Sequence, residues 1–528
     1  MTVEKKLQRA INAESVGVSS PVIQQMIGDM YSHGVNVHSI MVLRHGKVAC
    51  EAWSAPLTPE MPHQVFSVSK SVLATAYGFA LDEGKIEKTT RFLDVFPELK
   101  PKKRDENLEK LTIHHLLTMT SGKKTALKAD RNGDWLAQFV KLGWDFAPGE
   151  SWRYVSENFY AASAMLTRVL DTSVTEYLTP RLFEPLGIDV PFWETSPAGI
   201  EAGGWGLMLK TEDMAKFILC YHDGGRFNGE QVIPAWFAKE ATSKISSNDH
   251  CERNLDCRAG YGCGFWRCGG LQNTYRCEGM FCQYAISFDD YDACLVMTSD
   301  HSDLQQTLDI MWHYIPAAFI EPNIDGEGVS ISLHSDEVDP APSARRSIEK
   351  SVSGKTYKMR RCRFVNKIGF PVSMLPMPVV FFAKNSGGNM DDIKFDFDEG
   401  GFYLSWKEDG DQHNRAYFPL DGSASMNTVS IGDFKLNCRC WAKWETDTVL
   451  YLRLRPLEGV AERIIHFEFN GKRIKMHPYS IPGTKEKAEK TGEKLKCILV
   501  GRFFHWWIDV LVPQVSNILN PTHYGKMK

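Results

Sequence analysis

The feature that most limits how this chain can fold is a change of character after Pro322. Before that residue, strand-like and helix-like runs are mixed. Beyond it comes a polar stretch rich in Pro and Ser, DGEGVSISLHSDEVDPAPSARRS. From about Lys350 to His477 the sequence is then strand-like, as in VVFFAK, IKFDFD, GFYLSW, VLYLRLRP and IIHFEF. A polar Pro/Ser-rich run between two such patterns has the composition of a linker, and 528 residues exceed one ordinary domain. The expected division is a mixed domain over 1–322, a linker over 323–349, a β-rich accessory domain over 350–482, and a charged, then apolar segment over 483–528.

Within the first part, Ser20-Pro21 opens a helix in which Val22, Ile23, Met26, Ile27 and Met30 recur at helical spacing. VHSIMVLRHGKVACEAW reads as a β-hairpin turning at His45-Gly46. Helices and loops follow to about Ser243. Strands return in YGCGFW, TYRC, FCQYAISF and DACLVMTS, and LQQTLDIMWHYIPAAF closes the part as an amphipathic helix. Strands first, helices in the middle, strands and a helix last predict an α+β domain whose antiparallel sheet is completed by both ends of the segment.

A composition of 43% hydrophobic and 24% charged residues is that of a soluble globular protein. The formal net charge of -4, with no dense basic stripe, gives no footing for a nucleic-acid partner. The first twenty residues carry no apolar core of signal-peptide length, so the expected address is cytoplasmic. The thirteen cysteines are then expected as reduced, mostly buried thiols. Seven lie between Cys251 and Cys294, without a Cys-x-x-Cys pair, so no metal is expected. The C-terminal run CILVGRFFHWWIDVLV is interrupted by Arg502, His505 and Asp509 and is too polar to span a bilayer. Its composition permits a peripheral membrane contact or docking on a protein surface.

The chemistry concentrates at Phe66-Ser67-Val68-Ser69-Lys70, where an extended run meets a helix. At i and i+3, Ser67 and Lys70 share one face of the first turn. The positive end of the helix dipole and partial burial both disfavour the ammonium form, leaving an amine able to take the serine proton. The Ser67 N–H at the helix start is an oxyanion donor. Ser-x-x-Lys also occurs at Ser121–Lys124, in a turn before Gly122, and at Ser347–Lys350, in the linker. Only Ser67 opens an apolar helix, through Leu73, Ala74, Ala76, Tyr77 and Ala80. A plain helix cap with a solvated lysine is the competing reading of Ser67.

Pro148-Gly149-Glu150-Ser151-Trp152-Arg153-Tyr154-Val155-Ser156 supplies a turn and then Tyr-x-Ser, and a phenol beside a lysine amine can relay a proton. Gly279-Met280-Phe281-Cys282-Gln283-Tyr284 is read as the start of a strand. A glycine there would let a substrate approach the strand edge, with the Met280 N–H as a candidate second oxyanion donor, although Gly at a strand start is common.

Together these motifs resemble the superfamily of serine β-lactamases and penicillin-binding proteins, on the branch of class C β-lactamases, esterases and 6-aminohexanoate-dimer hydrolase. FSVSKS resembles the nucleophile motif, PGESWRYVSENFY the second motif, and GMFCQYAISFDDYDACLVMTS the third-motif strand and hairpin. LTIHHLLTMTSG and GWGLMLKTEDMAKF are similar to stretches found between them. The likeness covers about residues 20–320. It implies an antiparallel sheet flanked by helices plus an all-helical subdomain. It also implies Ser67 as acylated nucleophile, Lys70 as base, Tyr154 as proton relay, Ser67 and Met280 as oxyanion N–H donors, and Ser156, Gly279 and Phe281 as substrate-binding positions. Two departures stand out. Ser156 occupies the place where many relatives carry Asn, with Asn158 as the alternative should the turn shift. Gly-Met-Phe replaces the Lys/His-Thr-Gly of the third motif, removing the contact to a β-lactam carboxylate.

The expected activity is hydrolysis of a small amide or ester through an acyl-Ser67 intermediate, with no cofactor. An acyltransferase working through the same acyl-enzyme is the alternative within enzymes. A binding protein that kept the fold without the chemistry is the alternative outside them.

Overall fold

In the first unit the two ends of the segment meet in one sheet. Strands β1 (Val37–Arg44) and β2 (Lys47–Trp53) form a hairpin whose turn residues His45 and Gly46 both have positive φ, the geometry a tight two-residue turn requires. Short pairs follow, β3 (His63–Gln64) with β4 (Met208–Leu209) and β5 (Arg226–Phe227) with β6 (Glu230–Gln231). The remaining strands are β7 (Trp266–Arg267), β8 (Thr274–Gly279), β9 (Gln283–Phe288) and β10 (Ala293–Ser299). The main sheet runs β2-β1-β10-β9-β8-β7, antiparallel throughout, with Met41 opposite Val296 where the early and late strands join. The α+β architecture read from the order of elements is the one observed.

Both faces of the sheet are covered, so β1 is buried from Val37 to Leu43. Helix α1 (Ser20–Ser32) and the helix Leu304–Ala318 cover one face. Ile23, Met26, Ile27 and Met30 of α1 are fully buried against Ile40, Val42, Leu295, Met311 and Ile315. Each such side chain contributes about 1.5–3 kcal/mol relative to exposure. The helix Thr211–His222 packs on β1, β9 and β10, and Thr211 and Ser39 share a buried hydroxyl hydrogen bond of 2.7 Å. Helix α2 (Ser69–Asp82) is buried from Ser69 to Ala80 and packs on the helix Glu157–Leu170.

The structure, a computed structural model, describes residues 6–125, 133–251, 254–335, 341–360, 373–376, 390–408, 412–431, 434–481 and 522–528. It forms two compact units, Met1–Asp336 and Glu337–Lys528. The polar run read as a linker is divided between them. Backbone N–H groups of Val329 and Ser332 donate to Ser20 Oγ and Gln24 Oε1, and the His334 ring stacks on Tyr31 at 3.8 Å. On the other side, Ser343 N donates to Leu420 O and Glu349 Oε1 accepts from Trp444 Nε1, both within the second unit.

The second unit is antiparallel β-sheet: β11 (Lys355–Met359), β12 (Asp392–Phe397), β13 (Gly401–Glu408), β14 (Gln412–Pro419), β15 (Ser425–Ile431), β16 (Phe434–Trp444), β17 (Val449–Pro456), β18 (Glu462–Asn470), β19 (Arg473–Ile481) and β20 (His523–Met527). Its ten strands run β14-β13-β12-β11-β20-β19-β18-β17-β16-β15. The end strands β14 and β15 are joined by side-chain amides. Asn414 exchanges two hydrogen bonds of 2.9 Å with the Ser430 backbone, and Asn427 exchanges two with that of Tyr417, at 2.8 and 3.1 Å. Each asparagine thus stands in for a peptide group and satisfies an edge that would otherwise be open. Inside lie Phe395, Phe402, Leu404, Trp406, Phe467 and Phe469, all essentially inaccessible. The sequence reading left 522–528 in a terminal segment, whereas β20 sits between β11 and β19. The run VVFFAK and the apolar run Cys497–Val512 lie outside the described residues.

Among the described residues no helix is long and apolar enough to cross a membrane, and no cluster of metal-ligating side chains occurs. The described cysteines are free thiols, most of them buried. Burial pushes the Cys277 thiol up to about 12, so it stays protonated.

Candidate active site

Strand β3 leads straight into a 3-10 turn, Phe66–Val68, which continues as α2. The turn is pinned from several sides. Val65 N donates to Leu207 O, Ser69 Oγ donates to Phe66 O at 2.5 Å, and Leu207 N donates back to Ser69 Oγ at 3.3 Å. Phe66 adopts φ 49°, unfavourable for a bulky residue, and its ring lies 5.5 Å from that of Phe281. This arrangement sets Ser67 at the entrance of a buried helix, half-buried itself, with Lys70 one turn on.

Lys70 is 1% exposed. Its Nζ lies 2.8 Å from Ser67 Oγ and donates to Gly204 O at 2.6 Å. Burial drives the amine down to about 7, opposed by the Glu157 carboxylate. Glu157 in turn accepts from Thr125 Oγ1 at 2.9 Å. The Tyr154 ring lies 5.0 Å from Nζ and the Phe159 ring 5.7 Å. Gly204 is required where it stands, because a Cβ there would come within 2.7 Å of Ser156 O and 3.5 Å of Lys70 Nζ. A larger residue would push away the carbonyl that holds the amine.

Tyr154 belongs to an aromatic box. Its ring stacks on Trp266 at 5.4 Å and 23°, while Trp152 and Tyr261 stand 6.4 Å away at steeper angles. Ser156 begins the helix Glu157–Leu170 beside Gly204. Asn158 is fully buried and accepts from Ser121 Oγ at 2.9 Å, so it is committed to the core.

The Gly279 region differs from its sequence reading. Gly279 ends β8, and Met280–Cys282 form the tight connection to β9, with Phe281 and Cys282 both at φ 63°. Two successive left-handed residues reverse the chain there. Gln283 Nε2 ties the turn down by donating to Phe281 O at 2.9 Å and Ser299 O at 2.7 Å. A Cβ on Gly279 would meet Val65 O at 2.3 Å, so the glycine serves backbone-to-backbone approach beside the nucleophile turn. Met280 is exposed and Phe281 buried.

Ser67 and Lys70 are therefore in contact and the Tyr154 ring lies beside the amine, Ser156 and the Gly279–Phe281 turn are near them, and Asn158 is committed elsewhere. The sequence reading missed the Gly204 carbonyl, the Ser69 hydroxyl and the Trp266 stack. GWGLMLK and YGCGFW carried the first and last of these, but nothing local in either run says that it folds back onto the serine.

A sheet covered by helices on both faces, with a serine at the mouth of a buried helix and a desolvated lysine one turn on, is thus the frame of the site. The chain belongs to the beta-lactamase family, whose model matches residues 22–318. It is similar to an uncharacterized protein of Alkalihalophilus pseudofirmus, 27% identical over an alignment of 207 residues, with coverage of 35% of this chain and 55% of the relative. The chain thus spans about half the length of the curated relative it matches. Among solved structures it is similar to a Bacillus anthracis protein assigned as a 6-aminohexanoate-dimer hydrolase, with 16% identity, TM-score 0.49, and coverage of 59% of this chain and 87% of the other. An octameric penicillin-binding protein homologue of Pyrococcus abyssi matches with 14% identity, TM-score 0.44, and coverage of 86% and 97%.

Proposed function

We propose that this chain hydrolyses a small amide or ester through a covalent acyl-Ser67 intermediate, with Lys70 as base and Tyr154 as proton relay. The observation that carries the reading is the 2.8 Å contact between the Ser67 hydroxyl and an amine that burial holds near neutrality. A neutral Lys70 donates one proton to Gly204 O and turns its lone pair to the Ser67 O–H.

Ser67 Oγ attacks the substrate carbonyl as its proton passes to Lys70. The resulting oxyanion is held by the N–H groups of Ser67 and Met280. The proton then moves through the Tyr154 phenol to the leaving nitrogen or oxygen, the C–N or C–O bond breaks, and the acyl group stays on Ser67. Water adds to the ester by the reverse relay and releases the acid. No cofactor enters these steps. Ser156 and Phe281 contact the substrate, and Met280-Phe281 offers no cation for a carboxylate, which favours neutral substrates over penicillins. Nucleic acid has no part in this reading.

Intact-mass spectrometry after mixing with a panel of activated esters and anilides tests it. The wild type gains the acyl mass and loses it with time, and Ser67→Ala gains none. Added alcohol or amine that captures the acyl group would make the enzyme a transferase. An unacylated wild type, or full turnover by Ser67→Ala, would overturn the proposal.

A further inference from the structure

Tyr154 has no regular element of its own to fix it, since it lies in the irregular stretch before the helix Glu157–Leu170. Its ring sits in an aromatic box whose three walls are unequal. Trp266 is nearest and the most nearly parallel, whereas Trp152 and Tyr261 meet the tyrosine farther off and at 47° and 86°. Trp266 also gathers the other two, lying 5.5 Å from Trp152 and 5.0 Å from Tyr261.

The indole is itself anchored. Trp266 is 5% exposed on β7, directly opposite Arg276 of β8, and Tyr261 bridges to it through the backbone. The Arg276 guanidinium, wholly buried, stands 5.5 Å from the indole centroid. It is fixed by Glu278 at 2.7 Å and by the Arg267 carbonyl at 2.9 Å. A cation locked over an indole in a dry site resists displacement of the ring. The layers therefore run from Arg276 through Trp266 and the Tyr154 ring to the Lys70 amine.

We propose that Trp266 is a positioning residue for this reaction: it holds the Tyr154 ring over the Lys70 amine and, with Trp152 and Tyr261, keeps water from that amine. The inference rests on Tyr154 being the proton relay. The charged and titratable groups facing the assembly are Glu157 beside Lys70, Tyr261 beside Tyr154, His250 at the Trp152 carbonyl, and Arg276 with Glu278, Asp256 and Cys268 behind Trp266.

The test is the pH dependence of kcat and KM for p-nitrophenyl acetate in Trp266→Leu and Trp266→Phe, with Ser67→Ala as control. Trp266→Leu is expected to lose roughly 10- to 100-fold in kcat, with KM nearly unchanged. Its acid limb moves to higher pH, because water reaching Lys70 favours the ammonium form. Trp266→Phe, which restores a stacking face, recovers most of kcat and returns the limb towards that of the wild type. A folded Trp266→Leu with wild-type kcat and an unmoved limb, or a loss confined to KM, overturns the inference. Should the leucine variant not fold, the limb of Trp266→Phe decides: a small upward shift supports the role, none overturns it. Turnover by Ser67→Ala would sink the underlying chemistry, whereas an inert Ser67→Ala beside an unaffected Trp266→Leu sinks only the role of Trp266.

Discussion

Two Ser-x-x-Lys tetrads lie in the first unit, and their surroundings differ in every respect that matters to chemistry. Ser67 and Lys70 touch at the start of a buried helix. Ser121 instead donates to buried Asn158, and Lys124 reaches out to Asp145 at 3.7 Å with more than half of its side chain in water. Between those two, Lys123 is buried as deeply as Lys70. Burial lowers it to about 8, yet its amine donates to the carbonyls of Val140 and Leu142 and lies 3.8 Å from the Trp144 ring centroid. Desolvation alone therefore does not make a base. The proposed base, Lys70, differs from Lys123 in being both buried and held against a hydroxyl. Ser347 and Lys350 in the second unit are both exposed and meet neither condition.

The sharpest way to break this contrast is serine replacement. Ser67→Ala is expected to lose about 10^4-fold or more in kcat on a chromogenic ester, while Ser121→Ala stays within about twofold, since it removes no group from the reaction. Lysine replacement comes next. Lys70→Met should cost roughly 10^2- to 10^4-fold, the range of a general base, and Lys124→Met should leave initial rates unchanged.

The pH profile sharpens the same point. Under the proposed mechanism Lys70 acts only when neutral, so acylation is expected to fall about tenfold per pH unit below about 7. Stability carries the opposite face of this. The folded value lies below the lysine value of 10.5, so between about 7 and 10.5 the unfolded chain holds a proton that the folded chain has shed. Stability therefore rises with pH across that window, and the penalty is complete below it. Lys70→Met removes the penalty, so its melting temperature should exceed that of the wild type at pH 7, with the gap closing towards pH 10.5. The smallest effect belongs to Ser121. Losing its buried hydrogen bond to Asn158 should lower stability by about 1 kcal/mol, read as a shift in the urea midpoint without a change in rate.

What could be read beforehand followed how local each signal was. The hairpin at His45-Gly46, helix α1 and the Ser67 helix announce themselves through turn chemistry and periodicity, and the join of early and late strands follows from their order. The i, i+3 spacing was enough to bring Ser67 to Lys70. Gly204 is 134 residues away from Lys70, and no local pattern encodes that a carbonyl rather than a side chain will hold the amine. The Met280–Cys282 turn was obscured because FCQYAISF reads as one strand, whereas left-handed Phe281 and Cys282 break it before Gln283. The division of 323–349 between the units escaped notice because it rests on backbone N–H groups finding Ser20 and Gln24, contacts invisible to composition.

Peptide mapping after timed labelling with a fluorophosphonate at several pH values asks whether Ser67 is the serine that Lys70 activates. A single adduct is expected, on the peptide carrying Ser67, with Ser121 unmodified, formed ever more slowly below pH 7 and hardly at all in Lys70→Met. An adduct on another serine, or labelling of Ser67 that is equally fast without the lysine, would contradict it.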